Sequence, residues 1–225
     1  MAKPFRNNRW LFFLLWAGIF LAASPGRLSA EDGDWQSWND FQYSQTLGYG
    51  LDMVVRYEQR FEQDISEYAY YELEPMVYWR YSPRWDIAVS YERDERLEPE
   101  NKVNDLAAAT AVLKVPLKDW YLTNQFRTEW MVPESEEEWR TIYRNRTGVA
   151  TTWKVGSKEI VPYLSEEFFY NIQDGIFTEN RLQAGIGVPI VPHWMASIYF
   201  MRLDERTAEG WEWHPVVGIE VLARF

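Results

Sequence analysis

The stretch VVGIEVLARF, residues 216–225, alternates between apolar side chains and side chains of mixed character. The apolar set consists of Val217, Ile219, Val221, Ala223 and Phe225, and the same phase extends back to Pro215 and Trp213. Because successive side chains of a β-strand point to opposite faces, these residues share one face of a strand. An apolar strand face of this kind lies either against lipid or in the core of a soluble sheet.

The first 30 residues have the composition of a secretory signal peptide. Lys3, Arg6 and Arg9 precede the apolar run WLFFLLWAGIFLAA, which is followed by a Pro-Gly pair and by LSA. We predict a cleaved signal peptide over residues 1–30 and a single domain over residues 31–225. The alternative is an uncleaved anchor, which needs about 20 consecutive apolar residues, and this run is shorter.

The charge balance and the missing motifs exclude several function classes. The sequence has a net charge of −11, and the predicted signal peptide removes four basic side chains but no acidic ones. Such an acidic surface argues against nucleic acid as a partner, because it cannot replace the counterions around phosphates. Since the sequence has no Cys, no Cys/His metal pattern and no nucleotide-binding glycine motif, we expect no disulfide, metal or cofactor.

After the signal peptide, the sequence repeats an alternating segment, a short turn, a second alternating segment and a longer polar loop. The alternating segments fall near residues 37–47, 51–61, 68–81, 85–96, 104–116, 120–131, 139–154, 160–171, 180–190, 194–203 and 213–225. Connectors such as LGYG and SPR are short, whereas EQDISE and DERTAEGWE are longer and polar. We predict an all-β fold, a transmembrane antiparallel up-and-down β-barrel of about 10–12 strands, with short periplasmic turns and longer extracellular loops.

Tryptophans occur near both ends of these segments. Trp79, Trp85, Trp120, Trp153 and Trp194 lie beside short turns, and Trp130, Trp139 and Trp213 lie toward the longer loops. Indole rings concentrate at both membrane interfaces, so this distribution indicates a membrane barrel. A soluble sandwich with an aromatic core is the alternative, because alternation alone does not separate the two. A barrel in lipid must be closed, since no backbone donor or acceptor can be left unpaired there.

The number of segments conflicts with the usual architecture of such barrels. Eleven segments are present, whereas single-chain bacterial barrels normally have an even number of strands. We expect that segment 37–47 lies outside the barrel, which leaves 10 strands, or that a short additional strand raises the number to 12.

Four stretches of the sequence resemble a known protein family. They are WNDFQYSQTLGYGL at 38–51, PYLSEEFFYN at 162–171, FTENRLQAGIGVPI at 177–190 and GIEVLARF at 218–225. The sequence is similar to the DUF 2490 family of uncharacterised bacterial proteins, which look like outer-membrane β-barrels. The resemblance implies a barrel in the outer membrane of a Gram-negative bacterium and implies no catalytic residue. The terminal Phe225 also resembles the assembly signal that the barrel assembly machinery recognises during insertion.

The inward faces of the predicted strands carry charges of both signs. The candidates for lining the lumen are Arg56, Arg60, Glu72, Glu74, Arg80, Glu92, Arg127, Arg140, Arg144, Arg146, Arg181, Glu220 and Arg224. We expect a narrow passive channel or uptake barrel for small solutes, with Arg140, Arg144 and Arg146 attracting anionic ones. The alternative is an occluded structural or envelope-interaction barrel, because Arg and carboxylates form bidentate pairs that can close a narrow bore.

Two acidic stretches stand out. Glu166 and Glu167 are adjacent in a predicted strand, so one of them points at lipid unless it lies near an interface or a bulge turns both inward. The stretch ESEEE at 134–138 is a solvated acidic loop or a collector of divalent cations that bridge lipopolysaccharide phosphates. We expect outer-membrane lipid and lipopolysaccharide to be the surroundings of the barrel.

An outer-leaflet enzyme acting on lipids or peptides is the remaining class. His193 and His214 are the only histidines, and no Ser is adjacent to His214 in the sequence. His193 falls in a predicted periplasmic turn, and His214 begins the last strand near Glu212. Because nucleophilic catalysis needs a base beside a nucleophile, we expect that the protein is not an enzyme.

Overall fold

The computed structural model describes residues 34–97, 102–133 and 139–225. The predicted signal peptide at 1–30 and the acidic stretch at 134–138 lie outside the described residues. All the described elements are strands, and they belong to one compact unit. Among the residues that the structure describes, no helix has the length and apolar composition needed to cross a membrane.

Twelve strands form the structure. They are β1 (Gln36–Gly48), β2 (Leu51–Glu62), β3 (Glu67–Trp79), β4 (Trp85–Arg96), β5 (Lys102–Leu117), β6 (Trp120–Pro133), β7 (Arg140–Thr151), β8 (Trp153–Val155), β9 (Lys158–Asn171), β10 (Ile176–Val191), β11 (Trp194–Arg206) and β12 (Trp211–Arg224). The three-residue β8 pairs with the start of β9 in a small hairpin. The other eleven strands pair in one continuous sheet that closes on itself.

Alternation of side chains gives the barrel two different faces. The predicted apolar face of β12 points outward, and large apolar side chains such as Val89, Ile198 and Ile219 are exposed on the outer surface. Charged side chains, among them Glu74 and Arg127, are buried in the interior. The period of two along each strand produces the two faces. Their burial is the reverse of that in a soluble protein, since the apolar face is exposed and the charged face is buried.

The barrel closes through a parallel pair, which corrects the expectation of an even strand number. Residues Gln36 to Ser44 of β1 pair in parallel with Val216 to Arg224 of β12. Segment 37–47 therefore lies in the barrel and does not cross its mouth. In an up-and-down sheet with an odd number of strands, the first and last strands run in the same direction, so they can only pair in parallel.

The connections at the two ends differ in length, although less than we predicted. Residues 49–50, 118–119, 156–157 and 192–193 form two-residue connections at one end, which we call the turn end, and 80–84 connects β3 to β4 there. At the opposite end, called the loop end, connections 63–66, 172–175 and 207–210 have four residues each. The observed loops are shorter than the predicted ones, because the strands extend into the stretches that we assigned to loops. Strand β10, for example, begins at Ile176.

A left-handed loop joins β2 to β3 at the loop end. Gln63, Asp64 and Ile65 all have positive φ, at 51°, 56° and 65°. Their conformation turns consecutive backbone N–H groups to one side, and the Asp34 carboxylate accepts hydrogen bonds from the first two. The Ile65 N–H donates to the Trp35 carbonyl at 3.1 Å. These bonds hold the beginning of the barrel against this loop.

Candidate functional site

The barrel interior is the candidate functional site, because it gathers most of the residues predicted to line a lumen. Arg56, Arg60, Glu72, Glu74, Glu92, Arg127, Arg144, Arg146, Arg181 and Glu220 lie on the inner phase of their strands. Arg80, Arg140 and Arg224 lie at strand ends and are exposed. Arg80 donates a hydrogen bond to Asp52 at 2.6 Å. Ten of the thirteen predicted lumen residues therefore lie inside the barrel, and the other three lie at its ends.

Arg56 of β2 binds carboxylates from three strands. Its Nη1 atom lies 3.0 Å from Glu72 Oε1 and 3.7 Å from Glu74 Oε2, both on β3. The same guanidinium donates hydrogen bonds to Asp40 of β1 and to Glu58 of β2. Since all five N–H donors of an Arg lie in one plane, a single side chain can join several strands in this way.

Arg127 of β6 makes a second centre deep in the barrel, where it is 6% exposed. Its Nη1 atom donates to Glu74 of β3 at 2.5 Å, and its Nη2 atom donates to Glu92 of β4 at 2.9 Å. Its Nε atom donates to Glu129 on its own strand at 2.6 Å. The contact with Glu74 crosses the interior, since two further strands lie between β3 and β6 in the sheet.

Arg144 of β7 extends these contacts to β9. Its Nη1 atom donates to Glu129 at 2.6 Å, and its Nε atom donates to Glu167 at 3.0 Å. Glu74 is shared by Arg56 and Arg127, and Glu129 is shared by Arg127 and Arg144. The three Arg side chains and their carboxylates thus form one continuous set of ion pairs from β1 to β9, called here the central network.

A layer of aromatic and cationic side chains lies beside the central network, toward the loop end. The Arg60 guanidinium stacks 3.8 Å from the Trp38 ring centroid and 4.1 Å from that of Tyr70. Arg181 lies on the same Trp38 ring at 4.7 Å and on Phe169 at 4.5 Å. Stacking of this kind stabilises a guanidinium away from water. We did not predict these aromatic residues as interior ones, although their phase along β1, β3 and β9 indicates it.

Two interior tyrosines lie over glycines of neighbouring strands. An added Cβ at Gly218 of β12 would approach the Tyr199 ring to 2.1 Å, and one at Gly185 of β10 would approach Tyr163 to 2.6 Å. The Tyr163 hydroxyl also accepts a hydrogen bond from Gln183 at 3.0 Å. Each glycine therefore provides room for an aromatic ring on the neighbouring strand.

The space left in the interior is divided among three cavities. A central cavity of about 220 Å³ is lined by Arg56, Arg127, Arg144, Arg146 and Arg181, together with Asp40, Glu74, Glu167 and Glu220. Cavities of about 280 Å³ and about 350 Å³ lie toward the loop end and the turn end respectively. Arg146 lines both the central and the turn-end cavity, and it donates to the neutral Gln183 and Ser165 at 2.9 and 3.3 Å.

Glu72, Glu74 and Glu92 are close enough together to suggest a cation site. Their nearest carboxylate oxygens lie within 4.8 Å of one another, and all three side chains are buried. Arg56 and Arg127 already bind these carboxylates through the contacts given above. The guanidinium groups therefore supply the positive charge that a metal ion would provide.

Glu166 and Glu167 point to opposite sides of β9. Glu167 is buried and paired with Arg144, whereas Glu166 is exposed on the outer face. The pairing of β9 with β7 runs without a register shift from Tyr163 to Asn171, so no bulge turns both carboxylates inward. Glu166 is the ninth of the fourteen residues of β9, which places it near the middle of the strand and not at the loop end.

The histidines and the terminal aromatic lie at the strand ends. His214 Nε2 is 3.8 Å from Glu205, and its Nδ1 atom is buried without a hydrogen-bond partner among the described residues. His193 is in the turn between β10 and β11 with φ of 73°, and its ring stacks on Phe225 at 5.4 Å. The Phe225 N–H donates to the Ser44 carbonyl at 2.8 Å, which continues the parallel pairing with β1.

Comparisons with known proteins identify a family but no function. Among solved structures, the chain is similar to the crystal structure of the siderophore receptor PirA from Pseudomonas aeruginosa, at 11% sequence identity and a TM-score of 0.29. The match covers 78% of this chain and only 35% of the receptor, so it is too distant to transfer a role. No curated protein matches. The model of the family described as "Protein of unknown function (DUF2490)" matches residues 35–214, and the chain therefore belongs to that family.

Proposed function

We infer that the protein is an outer-membrane β-barrel with an occluded interior, which has a structural or envelope-interaction role and does not form an open pore. Three features support the membrane location. Large apolar side chains are exposed over the outer face, charged ones are buried inside, and the pairing of β1 with β12 closes the eleven-stranded sheet. Trp79 and Trp85 near the turn end and Trp130 toward the loop end are exposed on the outside, as in aromatic girdles.

The central network is the main observation that supports an occluded interior. It joins seven strands through charge-assisted hydrogen bonds, and the aromatic layer and Tyr199 occupy much of the rest. Porins with an open aqueous channel have about 16–18 strands, so an eleven-stranded barrel has far less interior to fill. Side chains that bind one another across the bore in this way favour an occluded interior over an open pore.

A narrow passive channel for small anionic solutes is the second candidate. The central cavity favours it, because five Arg and four acidic side chains line that cavity and the hydrogen-bond partners of Arg146 among the described residues are neutral. A solute of this kind would have to displace carboxylates from Arg144 or Arg127. An enzyme has less support, because among the described residues His214 approaches Glu205 and no hydroxyl group is bonded to it.

Planar-bilayer conductance of the refolded protein distinguishes the two candidates. Heat-modifiable gel mobility first establishes that the barrel is folded. For the occluded barrel we expect no steady unitary current from such a sample. Steady currents whose ion selectivity changes when Arg140, Arg144 and Arg146 are replaced by Ala would overturn the occluded interior and support the channel.

The proposal also includes how the protein reaches the membrane. The basic and apolar composition of residues 1–30 supports export as a cleaved precursor. The aromatic Phe225 and the alternating apolar face of β12 support recognition by the barrel assembly machinery. After insertion, outer-membrane lipid and lipopolysaccharide surround the barrel.

A further inference from the structure

The outer face of the barrel is apolar around most of its circumference but carries a group of polar side chains on one side. Middle positions of β4 and β12 present Ile87, Val89, Val217 and Ile219. On β6, β7, β9 and β10, by contrast, outward positions hold Asn124, Asn145, Thr147, Glu166 and Asn180, which we call the outer polar patch.

Strand register brings the members of this patch together. Thr147 of β7 pairs with Asn124 of β6 on one side and with Glu166 of β9 on the other. Asn124 Nδ2 donates to Thr147 Oγ1 at 2.7 Å and to Asn145 Oδ1 at 3.2 Å. Asn180 Nδ2 of β10 lies 3.4 Å from Glu166 Oε1. The patch is therefore continuous across four neighbouring strands, with Thr147 at its centre.

The patch lies at mid-height on the barrel wall. On β9, the outward side chains of Phe168 and Tyr170 follow Glu166 toward the loop end, and Leu164 precedes it toward the turn end. On β6, Trp130 lies beyond the patch in the direction of the loop end. In the membrane location given under Proposed function, on which this inference rests, the patch falls at the depth of the hydrocarbon core.

Polar groups at that depth are costly when lipid is their only neighbour. A carboxylate or amide transferred into hydrocarbon loses its hydrogen bonds to water and regains only those that protein partners provide. Among the described residues, Glu166 accepts one hydrogen bond, at the long distance of 3.4 Å, although a carboxylate accepts several. A protein surface with donors that covers the patch would remove this cost.

We propose that the outer polar patch is the interface at which two copies of this chain pair within the membrane. The chemistry of the patch favours a second copy because it is self-complementary. Asn and Thr side chains both donate and accept hydrogen bonds, so the same patch can bind itself across a two-fold axis. Glu166 accepts hydrogen bonds from the amide or hydroxyl groups of the other copy, and no cation in the patch repels its symmetry mate.

Site-specific disulfide cross-linking tests this pairing, because the sequence contains no Cys. Thr147→Cys places one thiol at the centre of the patch, and Ile219→Cys is the matched control, an exposed outward position in the middle of β12. After oxidation in membranes, we expect Thr147→Cys to give a disulfide-linked dimer in several-fold higher yield than Ile219→Cys. Adding Glu166→Leu to Thr147→Cys should reduce that yield several-fold.

The same samples separate failure of the pairing from failure of the membrane location. Heat-modifiable mobility and resistance to alkaline extraction report a folded, integrated barrel. If the barrel is integrated and the two Cys variants cross-link equally, the pairing is overturned and the membrane location stands. A cross-linked band of a mass other than the dimer also overturns the pairing in favour of a different partner. If the protein is not integrated, both inferences are wrong.

Discussion

At the scale of single residues, the packing of the interior depends on glycines whose missing side chains leave room for aromatic rings. Gly218 in β12 lies against the ring of Tyr199, which is buried together with Trp38, Met201 and Leu203. The sequence indicates Gly218 as an interruption of a strand pattern, but it does not indicate which ring occupies the space. That ring comes from β11, whose register places Tyr199 directly opposite Gly218.

We expect Gly218→Ala to destabilise the barrel by about 1–3 kcal/mol, because the new Cβ overlaps the Tyr199 ring and forces it to move. Urea unfolding of the refolded protein in detergent micelles measures this change in the free energy of unfolding. In a Tyr199→Ala background, the same substitution should cost much less, since the overlap is gone. Equal costs in the two backgrounds would show that the ring does not occupy this space.

At the scale of elements, the parallel pair between β1 and β12 is the feature that sequence reasoning missed. The alternation of β1 indicates a strand, but the general preference for even strand numbers predicts either that segment 37–47 lies outside the barrel or that a short additional strand completes it. The register instead pairs Phe41 with Val221, and both side chains face outward. Since the strand directions follow from ten successive reversals, the count of eleven already implies parallel closure.

A pair of engineered cysteines tests this closure. Phe41→Cys with Val221→Cys should form an intramolecular disulfide on oxidation, because neighbouring residues on paired strands have Cα atoms within the range that a disulfide spans. The control pair Phe41→Cys with Val217→Cys is four residues out of register, roughly 13 Å along the strand, and should stay reduced. Mobility on non-reducing gels distinguishes the two. A disulfide in the control pair alone would contradict the parallel register.

At the scale of the whole molecule, the central network joins strands across the barrel interior. Its members come from β1, β2, β3, β4, β6, β7 and β9, and the contact between Glu74 and Arg127 joins residues 53 positions apart in the sequence. A buried ion pair adds little net stability compared with apolar packing, but removing one partner leaves the others as uncompensated charges. In the proposed occluded barrel, closure of the lumen and stability of the barrel therefore depend on the same side chains.

Arg127→Ala should lower the free energy of unfolding by about 3–5 kcal/mol, because it leaves the buried Glu92 without its Arg partner and removes one of the two Arg partners of Glu74 and of Glu129. The matched control is Arg80→Ala, which breaks an exposed pair with Asp52 at 2.6 Å at the turn end and should cost about 0–1 kcal/mol. Urea unfolding of both variants under the same detergent conditions measures the difference. Similar losses in the two variants would mean that the central network does not bind the strands together.

The sequence by itself determined the all-β fold, the two faces of each strand and the inward position of residues such as Arg56, Glu74 and Arg144. These features are local, because the period of two along a strand fixes which side each residue faces. Only the tertiary structure decided the parallel closure, the regular pairing of β9 with β7 that leaves no bulge at Glu166, and which carboxylates each Arg binds. Those features depend on the register between strands far apart in the sequence, and alternation within one strand contains no information about it.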